Sequence, residues 1–397
     1  MYGLLAVVFL WAVAIYFLRR EIATAWAEPC LRHPVVVFEG DDWGYGPLEQ
    51  ADALRDIAAE LARHRDLTGR HPVMTLGVIL AGPGAARTPD EALGAARVTL
   101  EDARLKPVCD AMAQGVRAGV FDLQLHGMEH YHPAVLTRAV QMDPQVGVWL
   151  AGAPFVETEQ LPSPLQSRWT DASVLPSKAL DKGDILVRVA DEVAMFRQCF
   201  GALPEVVVPP TFVWNACVER AWAEQGLAVL VTPGERYEMR GTDGLPVDAG
   251  VYYRNGQRCA SGLLAIVRND YFEPVRGHRT GRGLAGLATK WAQRRPLLLE
   301  THRSNFVGAS AQHAESVRAI GDLVSAALRA QPGLRFVTVA ELAQHYVRGG
   351  DLIDPRLWTR LLALRYRLDR PGRRRKIFGL LAALTLAAAF AALAAPV

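Results

Sequence analysis

The sequence predicts a parallel α/β barrel flanked by a membrane helix at each end. Three observations carry that reading. Short apolar runs rich in β-branched residues recur singly between about residues 34 and 339, helix-like patterns separate several of them, and both termini are long uncharged stretches. Strands are read over 35–39, 73–79, 120–125, 205–208, 228–231, 263–267, 297–300 and 336–339. Helical patterns cover 47–64, 186–200 and 311–330. Single strands alternating with helices indicate parallel crossovers, and seven or eight such units point to a barrel. Residues 144–182 are rich in Pro and Ser without clear periodicity. An insertion over about 143–185 is therefore read as a long loop beside the barrel mouth, where loops of that length are functional or mobile.

The ends are read as follows. Residues 2–18 are uncharged and closed by Arg19 and Arg20; residues 377–395 are uncharged and preceded by Arg373, Arg374, Arg375 and Lys376. Each run approaches the length needed to cross a bilayer core of about 30 Å. Anchors are assigned to 1–20 and 377–396, around a central domain over 28–350. A signal peptide cut after Ala27 is the alternative for the first run, but there the basic pair follows the apolar stretch instead of preceding it. Over 356–370, Trp358, Leu361, Leu362 and Leu364 alternate with arginines. That segment either lies on an anionic membrane surface or packs its leucines on the main domain. The expected location is the inner membrane, anchored at both ends. Both basic clusters lie on the side of the central domain, which the positive-inside rule places in the cytoplasm.

Composition excludes several classes. A chain that is 50% hydrophobic and 21% charged is not disordered, and a net charge of +3 does not suit nucleic-acid binding as the main role. Five scattered cysteines without a C-x-x-C pair exclude a zinc ribbon, a thioredoxin-type redox pair and a dense disulfide framework.

Polar residues gather where a parallel barrel places its chemistry, at the C-terminal ends of strands. The first strand runs into Glu39-Gly40-Asp41-Asp42-Trp43-Gly44, and the third delivers His126-Gly127-Met128-Glu129-His130-Tyr131-His132. The sixth ends in Arg268-Asn269-Asp270 and the seventh in Glu300-Thr301-His302-Arg303-Ser304-Asn305. One Asp with two His four residues apart is a coherent ligand set for Zn²⁺ or a related divalent ion. A second carboxylate can act as base toward water, and a separate histidine can protonate a leaving group. Adjacent side chains diverge in an extended segment, so one of Asp41 and Asp42 can bind metal while the other stays free.

These motifs, in this order, resemble the polysaccharide deacetylase (NodB-homology, carbohydrate esterase family 4) superfamily. The likeness lies in Asp41-Asp42 before Gly44, His126-x-x-x-His130, a Pro-aromatic strand end and the late strand with His302; it spans roughly residues 35–306. It implies a distorted (β/α)7 barrel that hydrolyses an N-acyl, usually N-acetyl, group on an amino sugar. It further implies Asp41 as general base, His302 as general acid, and Asp42, His126 and His130 as ligands of one divalent ion. Zn²⁺ is the expected metal, with Co²⁺, Ni²⁺ or Mn²⁺ as alternatives. Trp43, His132, Trp214, Asn269 and Asn305 are expected substrate contacts. The expected partners are a membrane-associated polysaccharide or a lipid-linked amino sugar, and membrane lipids, with no nucleic acid. On the side of the membrane the two signals oppose each other, since the resemblance implies a domain outside the cytoplasm and the charge pattern one inside it. The chain departs from the pattern in having Trp43 before Gly44, Gly127 after the first histidine, and no arginine over 207–215 to orient the base. Arg268 or Arg303 substitutes, or the base is tuned differently, or activity is lost.

Three other readings compete. His126-x-x-Glu129-His130 satisfies the inverted zinc-protease motif, which needs one continuous helix; Gly127 and Pro133 oppose that. Gly281-x-Gly283-x-x-Gly286 matches a dinucleotide fingerprint but starts well past the nearest strand, so it is read as a glycine-containing loop. A barrel that kept its ligands without catalysis would be a carbohydrate-binding scaffold.

Overall fold

A computed structural model describes residues 2–87 and 93–368, with a few more positions between 379 and 386. Seven parallel strands make its centre: Val35–Gly44, Met74–Ile79, Phe121–Leu125, Val206–Val207, Val229–Thr232, Leu264–Val267 and Leu297–His302. Neighbours run sixth, fifth, fourth, third, second, first, seventh. The sixth strand also closes the ring. Beyond Val267 the chain steps across, and Asp270–Tyr271 pairs in parallel with the seventh strand, Asp270 opposite Leu299 and Tyr271 opposite Glu300. Asn269 stitches this seam: its Nδ2 donates to the Pro296 carbonyl at 2.9 Å and its Oδ1 accepts from the Leu298 N–H at 3.2 Å.

The period-2 alternation of the strands sorts their side chains into two cores. Val35, Val37, Val206, Val208, Val229, Val231, Leu264, Ile266 and Leu298 fill the inside of the ring, closed at its base by Leu31, Val339, Leu342 and Leu352. The opposite faces, among them Val36, Phe38, Leu76, Val78 and Leu125, pack against helices that include Gln50–Ala62, Lys106–Arg117, Lys182–Phe200 and Ser310–Ala330. Between the fifth and sixth strands the described residues hold a hairpin, Glu235–Arg240 with Pro246–Tyr252, where the other crossovers carry helices.

Several expectations are corrected here. The eighth predicted strand is only Arg335–Phe336, which pairs with Val35 and Val36. Val339 instead starts the helix Val339–Arg348, because Thr338 and Glu341 form a capping box at its N-terminus. The glycine run from Gly281 to Gly286 is not a loop but part of the helix Thr280–Ala292. A Cβ at Gly283 would lie 2.5 Å from Leu323, so the bare glycine lets this helix seat on Ser310–Ala330. The insertion beside the mouth contains the helix Pro144–Ala151, two single 3₁₀ turns and the small pairing of Thr170–Asp171 with Lys178–Ala179.

Anchoring at both ends is also overturned: no helix among the described residues is long and apolar enough to cross a membrane. The first helix, Tyr2–Phe17, has 16 residues, about 24 Å at 1.5 Å per residue. The next helix, Arg19–Ala27, opens with Arg19, Arg20 and Glu21. The predicted helix over 377–396 lies almost entirely outside the described residues. The basic segment forms the helix Leu357–Arg367, which buries Thr359, Ala363 and Arg367 and leaves Leu357, Trp358, Leu361 and Leu362 exposed. Arg367 ties it down by donating to the carbonyls of Ala25, Glu28, Pro29 and Gln293.

Candidate active site

Along each inward face the apolar series gives way to charge at the C-terminal end of the strand. Val35 and Val37 are followed by Glu39 and Asp41, Leu264 and Ile266 by Arg268, and Leu298 by Glu300 and His302. The third strand, through Gln124, leads to His126 in the same parity. The side chains meet at one mouth.

Asp41 and Asp42 both face that mouth, which an extended segment would not allow. The first strand bulges: its register against the second strand shifts between Gly40 and Trp43, and Asp42 has a φ of 70°. Aspartate tolerates the left-handed region better than most residues because its short polar side chain bonds locally. The second strand makes room with Gly77, where a Cβ would lie 2.6 Å from Asp41 Oδ1.

Asp41 is gripped at both oxygens by Arg268, Nη1 to Oδ2 at 2.5 Å and Nη2 to Oδ1 at 2.9 Å. The same guanidinium reaches Glu39 (3.1 Å) and Glu300 (3.4 Å), so one buried cation serves three buried carboxylates. Burial alone would raise the Asp41 carboxyl, but Arg268, by charge and hydrogen bond, together with the nearby His126 and His302 outweighs it and holds the group below its ordinary value. Glu39, where burial dominates, is pushed up to about 7. The guanidinium that meets Asp41 thus comes from the end of the sixth strand and not from residues 207–215. Arg303 does other work: it donates to the Tyr45 carbonyl at 2.7 Å and to Glu159 at 2.8 Å, fastening the insertion to the rim.

Asp42, His126 and His130 form the second group. Their ligand atoms lie within 4.8 Å of one another, with the His126 and His130 Nε2 atoms 3.4 and 3.7 Å from Asp42 Oδ1. His126 Nδ1 lies 2.9 Å from the Val208 carbonyl, so Nδ1 holds a proton and Nε2 is directed at Asp42; burial would lower this imidazole, but Asp41 and Asp42 together outweigh that and raise it above its ordinary value. Burial lowers the His130 imidazole to about 4, so that ring is neutral at pH 7. Asp42 Oδ1 is buried without a hydrogen-bond partner. A carboxylate oxygen without a hydrogen-bond partner, facing two imidazole Nε2 atoms within 4 Å, fits a divalent cation, which would displace any proton from His126 on binding.

His302 is the third. Its Nδ1 lies 2.7 Å from Glu273 Oε1 and its Nε2 3.4 Å from Glu300 Oε1. Burial would lower it, but Glu273 first, then Asp42 and Asp41, outweigh that and raise it to about 10. The imidazole therefore carries a proton at pH 7. Asp41, Glu300 and His302 also sit within 4.8 Å of one another, but Arg268 already supplies the cation there, so this trio is suited to proton transfer.

The five expected substrate contacts are placed otherwise. Trp43 and Trp214 are fully buried, so neither ring has a face for a sugar; they stack on Phe306 and Tyr253. His132 caps the helix Pro133–Met142, its Nδ1 accepting from the Val135 N–H, and lies outside the cluster. Asn269 is engaged in the seam. Asn305, fully buried, donates to Glu273 and accepts from the Val275 N–H, so it holds the partner of His302. Glu273 and Glu300 were not singled out as site residues; the inward parity Glu300-x-His302 was the available signal. The inverted protease motif is excluded by geometry. Residues 126–130 are not helical, and Glu129 is buried in ion pairs with Arg97 and Arg168. A cavity of about 600 Å³ lies beside the seam, with Glu28, Tyr253 and Arg367 on its wall; it touches the cluster only through Arg268.

No family model and no curated protein matches the chain. Solved structures similar to it include a family 4 carbohydrate esterase from Streptomyces lividans in complex with acetate (11% identity, 78% of this chain and 94% of that one, TM-score 0.36). Another is the peptidoglycan deacetylase PdaC from Bacillus subtilis (10% identity, 81% and 93%, TM-score 0.36). A third is a 4-alpha-glucanotransferase from Thermococcus litoralis (10% identity, 80% and 41%, TM-score 0.40). The first two are of the superfamily that the motifs resemble; at these scores the case for this chain rests on its own residues.

Proposed function

We propose that the chain is a metal-dependent hydrolase that removes an N-acyl, typically N-acetyl, group from an amino sugar of a glycan, on a distorted (β/α)7 barrel. The observation that carries this reading is the convergence at one mouth of three differently tuned groups: an ionised Asp41 on Arg268, an open Asp42–His126–His130 triad and a protonated His302 on Glu273. Asp42, His126 and His130 would hold the ion, which when bound supplies a Lewis acid toward water and the acyl oxygen. Asp41 accepts the proton released as water attacks the acyl carbon. Arg268 keeps that carboxylate oriented and, by stabilising its anion, limits its basicity. His302 holds its proton toward the departing amine nitrogen, with Glu273 stabilising the imidazolium until the amine leaves. Amide hydrolysis needs both proton transfers, and a binding module needs neither. The expectation of a membrane-held glycan rested on the terminal runs and not on this site, so the substrate is proposed here only as an amino sugar of a glycan.

The test is metal analysis and deacetylation of N-acetylglucosamine oligomers by the purified chain, beside a His126→Ala/His130→Ala double variant. One divalent ion per wild-type chain, none in the variant, and acetate release by the wild type alone are expected. Metal binding without acetate release from any N-acetylated glycan would leave a binding scaffold in its place.

A further inference from the structure

We propose that Glu192 and Arg168 are positioning residues for the paired histidines: a buried charge clamp, away from the mouth, that sets how the loop from His126 to His130 presents its imidazoles to a divalent cation. The proposal rests on the reading of Asp42, His126 and His130 as a metal site.

The loop between those histidines has no helical or strand bonding of its own. It is held from two sides. On one side, the backbone after the second strand donates to it, from the Leu80 N–H to the Gly127 carbonyl (3.3 Å) and from the Ala81 N–H to the Met128 carbonyl (2.7 Å). On the other, Glu192, from the helix Lys182–Phe200, accepts from the Met128 N–H at 3.1 Å. The same carboxylate accepts from Arg168 Nε (3.1 Å) and from the Trp222 indole (2.8 Å). Arg168 comes from the insertion and pairs through Nη1 with Glu129, the residue immediately before His130; Arg97 pairs with Glu129 at 2.6 Å. Glu129, Arg168 and Glu192 have no solvent exposure. Buried charges at 0% exposure are retained only where they are mutually compensated, and here the compensation runs through the backbone and side chain of the histidine loop itself.

The insertion that supplies Arg168 is itself fixed. Arg303 holds its Glu159, and the buried Arg240 donates to Ser163 and Ser167. The clamp therefore has rigid ends, and a change in it must be taken up by the loop.

Chemistry selects the variants. All three groups facing Glu192 are donors, so Glu192→Gln must turn its amide NH₂ toward at least one of them. Arg168→Lys keeps the charge but loses the planar fork that spans two carboxylates. Trp222→Phe is the control, since it removes a buried bond to Glu192 without touching the loop. Each full-length protein is stripped of metal, its Tm measured, and then titrated with Co²⁺ while the visible absorption bands and affinity are read. Trp222→Phe is expected to lower Tm and keep the wild-type Co²⁺ spectrum and affinity. Glu192→Gln and Arg168→Lys are expected to bind Co²⁺ about 10–100-fold more weakly, with altered bands. If either folds, by near-ultraviolet circular dichroism, and binds Co²⁺ with the wild-type spectrum and affinity, the clamp is merely structural and the proposal is wrong. Wild-type protein that binds no Co²⁺ would instead overturn the metal reading beneath it.

Discussion

Inside the ring, the base and the mouth are built from the same inward positions of the same strands, and they differ in what fills them. At the base, Val35, Val37, Val229, Leu264 and Leu298 meet as hydrocarbons, and burial is itself the stabilising term. Two or four residues further along, Glu39, Asp41, Arg268, Glu300 and His302 occupy the same parity, and burial is the cost. The mouth survives because each charge has an opposite partner close by, and because the apolar floor and the outer helices hold those partners at fixed distances. The proposed chemistry thus falls where burial is a cost that only the neighbouring charges offset.

Four substitutions test that contrast, from the largest expected effect to the smallest. Asp41→Asn keeps the shape of the mouth and removes the proton acceptor. Hydrolysis should fall by about 10²–10⁴-fold while metal content, measured by elemental analysis, stays at the wild-type level; unchanged turnover would remove Asp41 from the chemistry. Arg268→Met strips the cation from three carboxylates. Breaking a buried ion pair costs about 3–5 kcal/mol, so urea unfolding at pH 7 should show a loss of that order, and turnover should fall with it. Ile266→Ala, two residues earlier on the same strand, is the partner experiment at the base. It should cost about 2–5 kcal/mol through the cavity it leaves, yet the folded fraction should retain wild-type turnover. Equal damage to turnover from both would mean that the base and the mouth are not separable.

The smallest effect at pH 7 is expected from Glu273→Gln. His302 holds its proton below a value of about 10 and loses it as pH rises through that value. Without the Glu273 anion it returns toward the ordinary histidine value near 6.5, where about a quarter of the molecules stay protonated at pH 7. Turnover at pH 7 should therefore fall about fourfold, and the alkaline limb of the pH–rate profile should move down from about 10. An unmoved limb would show that His302 is not the acid.

Some of this was legible from the chain alone. The inward and outward parities of the strands, the four polar clusters at their ends and the H-x-x-x-H spacing are local properties, set by covalent geometry and the period of a strand. The paired acids were found for the same reason, but their arrangement was not, because the bulge at Asp42 depends on pairing with a second strand. Trp43 and Trp214 misled: an aromatic residue near a strand end has the same local signature whether it lines a mouth or fills a core. Residues 336–339 misled in a different way, since a short apolar run does not say that the capping box at Thr338 will turn it into a helix.

The amino-acid sequence by itself determined which residues could do chemistry and which ends of the strands they occupy, because alternation and strand direction are written into each segment separately. Only the tertiary structure decided which of them meet. Arg268 reaches Asp41 across 227 positions of chain, and it does so because the sixth strand splits at Asn269 to close the ring against the seventh. That closure is a property of seven strands packed together, and no single segment contains it.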